Sequence, residues 1–265
     1  MAKQTRATKK PTKKPTKKST KKSKRRVAKR PARKAQRRRR HGRGPRTLAA
    51  AIPIVTTAGV DVSHHQGAID WAALGAAVAF AYIKATEGAT GAGSKDSMFA
   101  INWPAARMRV LRGAYHFFTW TSDPDKQADN FLATVGALEA TDLPPMLDLE
   151  ATAGIGALTL AQRVARVRRW IDRIERDLKR QPVLYVTQGY MRTHFEDGDF
   201  FADVPLFAVD FNRNPPRLPR AWADWTFWQH SETGTVSGVT GAVDLDRFQG
   251  DRLALQMFIE QSVLP

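Results

Sequence analysis

Cysteine is absent from all 265 residues. That excludes disulfides, thiolate metal sites and a cysteine nucleophile. Acidic residues are absent from the N-terminal stretch, and the first is Asp61. Aromatic residues are absent from residues 1–46, so this segment cannot stack on nucleic-acid bases. No apolar run approaches the roughly 18–20 residues of a membrane-spanning helix. The apolar run at 48–55 contains Pro53 and follows a long basic stretch. It is a poor match to the core of a cleaved export signal.

What is present is divided sharply. Residues 1–46 hold 23 Lys+Arg, while the rest of the chain holds 20 basic and 25 acidic residues. The pI of 10.6 therefore describes the N-terminal segment, not the remainder. Within that segment, residues 8–23 repeat TKKP-TKKP-TKKS-TKKS and an arginine-rich block follows. Like charges, prolines and no apolar periodicity predict a disordered tail over 1–46 and a linker over 47–57. Such a tail is suited to non-specific polyanions: nucleic acid, or an anionic wall or lipid surface. A purely solubilising tail is the other reading.

From residue 58 the pattern changes to short apolar runs alternating with amphipathic stretches. Strands are expected at 59–63, 79–84, 110–118, 145–150 and 182–187. Helices are expected at 69–78, 97–108, 123–138 and 158–179. In the last of these, Leu160, Val164, Val167, Ile171, Ile174 and Leu178 fall three or four apart and form one stripe. Three further strands, at 206–211, 225–230 and 242–248, leave little room for helices between them. The predicted fold is α/β: an irregular (β/α)5β3 TIM-like barrel over 58–251, followed by a C-terminal extension at 252–265. Such barrels carry their chemistry at the C-terminal ends of the strands.

Four acids sit at such ends: Asp61, Asp148, Glu150 and Asp244. The two-residue period of a strand puts Asp148 and Glu150 on one face, their Cα atoms roughly 6.5–7 Å apart. Neighbouring carboxylates resist double ionisation, so one proton is retained near neutral pH. Glycosidic cleavage needs such an acid. The same four acids could also ligate a hard divalent ion, or be a structural cluster.

Seven stretches in order carry a wider resemblance: GVDVSHHQGAIDW (59–71), FAYIKATEG (80–88), RGAYHFF (112–118), QADNF (127–131), LPPMLDLE (143–150), VLYVT (183–187) and FWQHSETGTVSGVTGAVDLDRF (227–248). Together they resemble the family 25 glycoside hydrolases, the N-acetylmuramidases of the Chalaropsis type. The resemblance implies a lysozyme that hydrolyses the β-1,4 bond between N-acetylmuramic acid and N-acetylglucosamine, acting on peptidoglycan at the cell wall. It implies that Glu150 is the general acid/base and that Asp148, Asp61 and Asp244 complete the catalytic set. No cofactor or metal is expected, and the chain is expected to be a monomer. Two motifs depart from the family. The sixth strand reads Phe207-Ala208-Val209-Asp210-Phe211 where W-I-A-x-Y is usual, and Trp228-Gln229-His230 replaces W-Q-Y.

Lys84, Glu87, Tyr115, Tyr185 and Trp228 are candidate saccharide contacts. Lys84 and Glu87 could equally be a structural ion pair, and core packing is the commoner fate of tryptophan. His64 and His65 lack zinc spacing, and Ser63 lacks a His–Asp partner set. The rival from another class is a polyanion-binding protein whose barrel is catalytically idle.

Overall fold

A computed structural model describes residues 54–91 and 93–265. The expected tail over 1–46 lies outside the described residues. Eight strands close into a barrel in sequence order: β1 (Thr56–Val62), β2 (Phe80–Glu87), β3 (Leu111–Phe117), β4 (Met146–Asp148), β5 (Val183–Thr187), β6 (Leu206–Val209), β7 (Phe227–Gly234) and β8 (Val243–Gln249). Helices α1 (Trp71–Ala77), α2 (Phe99–Ala106), α3 (Pro124–Val135), α4 (Leu160–Leu178) and α5 (Gln188–Phe195) follow the first five strands in turn. The (β/α)5β3 order is the one read from the sequence.

Strands β1 to β7 pair in parallel, whereas β8 runs antiparallel to both β7 and β1. Chain length dictates this. A parallel return needs a crossover of roughly a dozen residues or more. The link from Gly234 to Val243 is shorter than that, so β8 turns back as a hairpin arm.

Helix boundaries follow local chemistry. Asp123 Oδ1 accepts the backbone N–H groups of Asp125 and Lys126 at 2.9 and 3.2 Å, and Pro124 opens α3. The helix stops at Val135 rather than running to 138, because Gly136 takes φ +70° and caps it. Thr159 and Gln162 form a reciprocal capping box at the start of α4. Along α4, Val167, Ile171 and Ile174 are buried as the stripe requires, while Leu160, Val164 and Leu178 are half-buried. Trp170 lies fully buried beside the stripe, its ring stacked on His116 at 5.5 Å. Each fully buried aliphatic side chain contributes about 1.5–3 kcal/mol.

The barrel interior is aromatic. Phe80, Tyr82, Tyr115, Tyr185, Phe207 and Phe227 point inward, with Phe207 and Phe227 stacked at 5.3 Å. Gly59 and Gly113 make room for them: a Cβ at Gly59 would sit 2.3 Å from the Phe80 ring, and one at Gly113 2.5 Å from Tyr82. β1 begins at Thr56, inside the stretch expected as linker. Residues 252–265 include a sixth helix, α6 (Arg252–Gln261). Its Leu255 and Ile259 are buried among Phe80, Phe227 and Phe248, so it closes the end of the barrel opposite the strand C-termini.

Candidate active site

Aromatic rings fill the lower barrel, and polar side chains take over at the C-terminal ends of the strands. β2 shows the switch: Phe80 and Tyr82 belong to the interior core, and Lys84, two residues on, lines the mouth. The mouth opens into a cleft of about 380 Å³ lined by Asp61, Asp148, Glu150 and Asp244. Lys84, Tyr115 and Tyr185 also face it, as do Gln229 and Glu232.

The four acids arrive from three strands. Asp61 on β1 and Asp244 on β8 are register partners and share a hydrogen bond. Burial raises the Asp61 carboxyl well above its usual range, and the Asp244 charge raises it further. Burial raises the Asp244 carboxyl too; the shared bond opposes that rise while adding to the rise at Asp61. Asp148 ends β4 and is 7% exposed, with Oδ1 making no hydrogen bond among the described residues. Burial, then the nearby Glu150 charge, lifts its carboxyl well above the ordinary value. Glu150 lies two residues beyond the short strand and is exposed in the cleft. Loss of solvent in the cleft raises its carboxyl too, and Lys84 opposes that rise.

The other expected contacts divide. Tyr115 and Tyr185 stay protonated, since burial and then the surrounding acids push both phenols well up. Lys84 Nζ donates to Glu87 Oε2 at 2.7 Å and lies 4.8 Å from the Phe117 ring centre. Glu87 does not line the cleft; it holds the lysine from outside. Trp228 is a correction. It is 3% exposed, belongs to the layer between sheet and helices, and donates its indole N–H to the Asp210 carbonyl at 2.9 Å. Alternation along β7 puts Phe227 and Gln229 inside the barrel and Trp228 outside.

Gln229 is the site residue the sequence reading missed. Its Nε2 donates to Asp61 Oδ2 at 2.7 Å, and its Oε1 accepts the Tyr185 hydroxyl at 2.9 Å. A continuous chain thus runs Tyr185–Gln229–Asp61–Asp244. The same alternation that turns Trp228 outward was the signal for it. Asp246 was missed as well. It is 1% exposed, neither carboxyl oxygen has a partner among the described residues, and burial raises it well above its usual value. The extra acid Asp210 is held ionised by Arg217, whose Nε donates to Asp210 Oδ2 at 2.8 Å. His64 pairs with Asp96 at 2.7 Å beside the cleft, and Ser63 Oγ caps the short turn at His64–Gln66. Among the described residues, no cluster of three or more His, Asp or Glu is arranged to hold a metal ion.

Comparison with known proteins gives the same outline. Residues 60–239 match the glycosyl hydrolases family 25. Lysozyme M1 of Streptomyces globisporus is 35% identical over 226 residues, spanning 81% of this chain and 75% of that protein. YegX of Escherichia coli K12, itself uncharacterized, is 34% identical over 82% of this chain and 79% of its own length. Among solved structures, the bacterial lysozyme from Streptomyces coelicolor superposes with a TM-score of 0.73 at 32% identity, covering 78% of this chain and 98% of that one. With the barrel, the acid-lined mouth and these likenesses in agreement, the chain belongs to glycosyl hydrolase family 25.

Proposed function

We propose that the protein is a lysozyme-type muramidase that hydrolyses the β-1,4 bond between N-acetylmuramic acid and N-acetylglucosamine in peptidoglycan. Its relatives include proteins named as lysozymes and a muramidase. The observation that carries the reading is the pairing of Asp148 and Glu150 in one cleft, where burial raises both carboxyls and the Glu150 charge raises Asp148 further.

Glu150 protonates the leaving sugar oxygen. Before substrate binds, burial favours the proton on Asp148, the more enclosed of the two. Substrate reverses that order. The 2-acetamido N–H of muramic acid donates to Asp148 Oδ1, which lacks a protein partner, and so favours the charged form of Asp148. The proton is then left on Glu150. With Asp148 holding its N–H, the acetamido carbonyl oxygen attacks C1 as the glycosidic C–O bond breaks and Glu150 supplies the proton to the leaving oxygen. Glu150, now a carboxylate, takes a proton from the water that opens the cyclic intermediate. The two inversions give a β product. Two acids only two residues apart in one cleft leave little space for a water in a single displacement. Asp61, neutral and tied to Gln229 and Asp244, limits the negative charge under the reacting ring.

The basic segment is proposed to hold polyanions without sequence preference, concentrating the enzyme on anionic surfaces.

The test is clearing of purified cell walls by Glu150→Gln and Asp148→Asn, with circular dichroism to establish folding and nuclear magnetic resonance of the first anomer formed. Glu150→Gln should lose nearly all activity, and Asp148→Asn about 100-fold or more, near 2.7 kcal/mol of barrier. Wild-type clearing by folded Glu150→Gln refutes the assignment of the acid; an α product refutes the acetamido route.

A further inference from the structure

The catalytic cleft presents five carboxyl groups, those of Asp61, Asp148, Glu150, Asp244 and Glu232, against one lysine, Lys84. The uncharged sugar rings of a wall glycan suit such a cleft. The peptide stem attached to the lactyl group of muramic acid does not, because it carries free carboxylates. A stem lying over the acids would meet like charge.

Beside the cleft, where β5 and β6 end, lies a second cavity of about 370 Å³. It shares Thr187, Val209 and Phe211 with the catalytic cleft, so the two are continuous. Its remaining wall has the opposite electrostatic character. Arg192 and Arg217 both line it, against a single acid, Asp210. Arg217 is committed to Asp210 by its Nε and by its backbone N–H, at 2.8 and 3.1 Å. Arg192, on the exposed side of α5, has no ion-pair partner among the described residues. One positive charge is therefore left over in a cavity that opens onto the reacting centre. Gly189 also lines it, and a Cβ there would meet only Thr187 Oγ1, at 3.8 Å, so the position has room for a side chain. Phe211, 39% exposed, forms the shared rim and offers an apolar surface between the sugar and its charged appendage.

We propose that this cavity is a subsite for the carboxylate-bearing peptide stem of muramic acid, with Arg192 as its charge-reading residue. The sugar chain then lies in the acidic cleft, and the stem leaves it sideways past Phe211 towards Arg192. The subsite rests on the muramidase reading and makes the enzyme prefer peptide-bearing over bare glycan. Guanidinium–carboxylate pairing supplies the selectivity.

The experiment measures kcat/KM of the full chain on two substrates from one wall preparation: glycan strands with their peptides, and strands stripped of peptide by an amidase. The quantity read is the ratio of the two. In the wild type the ratio should exceed one and fall as salt rises. Arg192→Gln should lower it about fivefold, the scale of an exposed ion pair. Gly189→Leu fills the cavity without changing its charge, at a backbone position that needs no positive φ. It should lower the ratio at least as far. If Gly189→Leu does not fold, Arg192→Gln decides alone. A wild-type ratio of one, or a ratio that Arg192→Gln leaves unchanged, overturns the subsite while leaving the muramidase reading in place. Failure of the wild type to cleave either substrate overturns the muramidase reading itself.

Discussion

Replacing Gln229 with leucine tests whether the buried network, rather than the carboxylates alone, sets the catalytic state. The side chain is 4% exposed and joins Tyr185 and Asp61, which share no hydrogen bond of their own among the described residues. Leucine has similar bulk and neither hydrogen bond. Asp61 then loses the donor at 2.7 Å that lowers its carboxyl, so its remaining influences all drive it further upward. Leucine removes two hydrogen bonds between neutral groups, each contributing about 0.5–1.5 kcal/mol. If that energy serves the transition state, kcat/KM should fall about 5- to 150-fold. Tyr185→Phe removes only the neutral bond at 2.9 Å, and should cost about 2- to 10-fold. Because the hydrogen-bond route from Tyr185 to Asp61 runs through Gln229, the double variant should be no worse than Gln229→Leu alone. Wall-clearing kinetics give the rates, and urea unfolding shows whether each variant is folded. Wild-type kinetics in folded Gln229→Leu, or strictly additive losses in the double variant, would refute the network.

His116 lies buried between Thr86 and Gln127, and burial lowers its pKa to about 3. A depressed histidine contributes stability above its unfolded value near 6.5 and loses it as pH falls towards the folded value, so wild type should lose about 3 kcal/mol relative to His116→Gln between pH 7 and 4; parallel urea midpoints for the two would refute this. Asp246 has the opposite sign. Its raised carboxyl favours folding in acid and loses that contribution as pH rises, so Asp246→Asn should gain on wild type by about 1.4 kcal/mol per pH unit above pH 4 until the folded group ionises. A constant stability difference across pH 4–8 would count against it. Chains beginning at Ile54 should keep the barrel, yet bind DNA and anionic walls far more weakly than the full chain at low salt, and equal binding by the two would remove the basic segment's role.

The difference between what the sequence disclosed and what it concealed follows from the range of each interaction. Helix starts are local: Asp123 before Pro124, and Thr159 three residues before Gln162, can be seen in a short window and sit where expected. The order of strands and helices follows from apolar runs of equally short range. The direction of β8 is also legible in principle, since it depends only on the length of one link. Asp61, Asp148 and Glu150 follow apolar runs at the ends of parallel strands, which a barrel turns into one mouth, whereas Asp244 reaches the same mouth from the start of the antiparallel β8. At Trp228 and Gln229 the aromatic is the more conspicuous residue, yet the two-residue period gives the inward place to its neighbour. Other features are non-local. The Arg217 that neutralises Asp210 lies seven residues away across a loop, and no periodicity predicts that it folds back. The role of α6 depends on Leu255 and Ile259 meeting Phe227 and Phe248 beneath a barrel that must already be closed. The charge contrast between the two adjoining cavities belongs to this second class. Arg192 sits on a helix and Asp148 on a strand, and only closure of the barrel sets an unpaired cation beside a cleft of acids. In this protein the chemistry of bond cleavage is written in short motifs. The proposed discrimination between substrates, by contrast, rests on surfaces that folding assembles from distant residues.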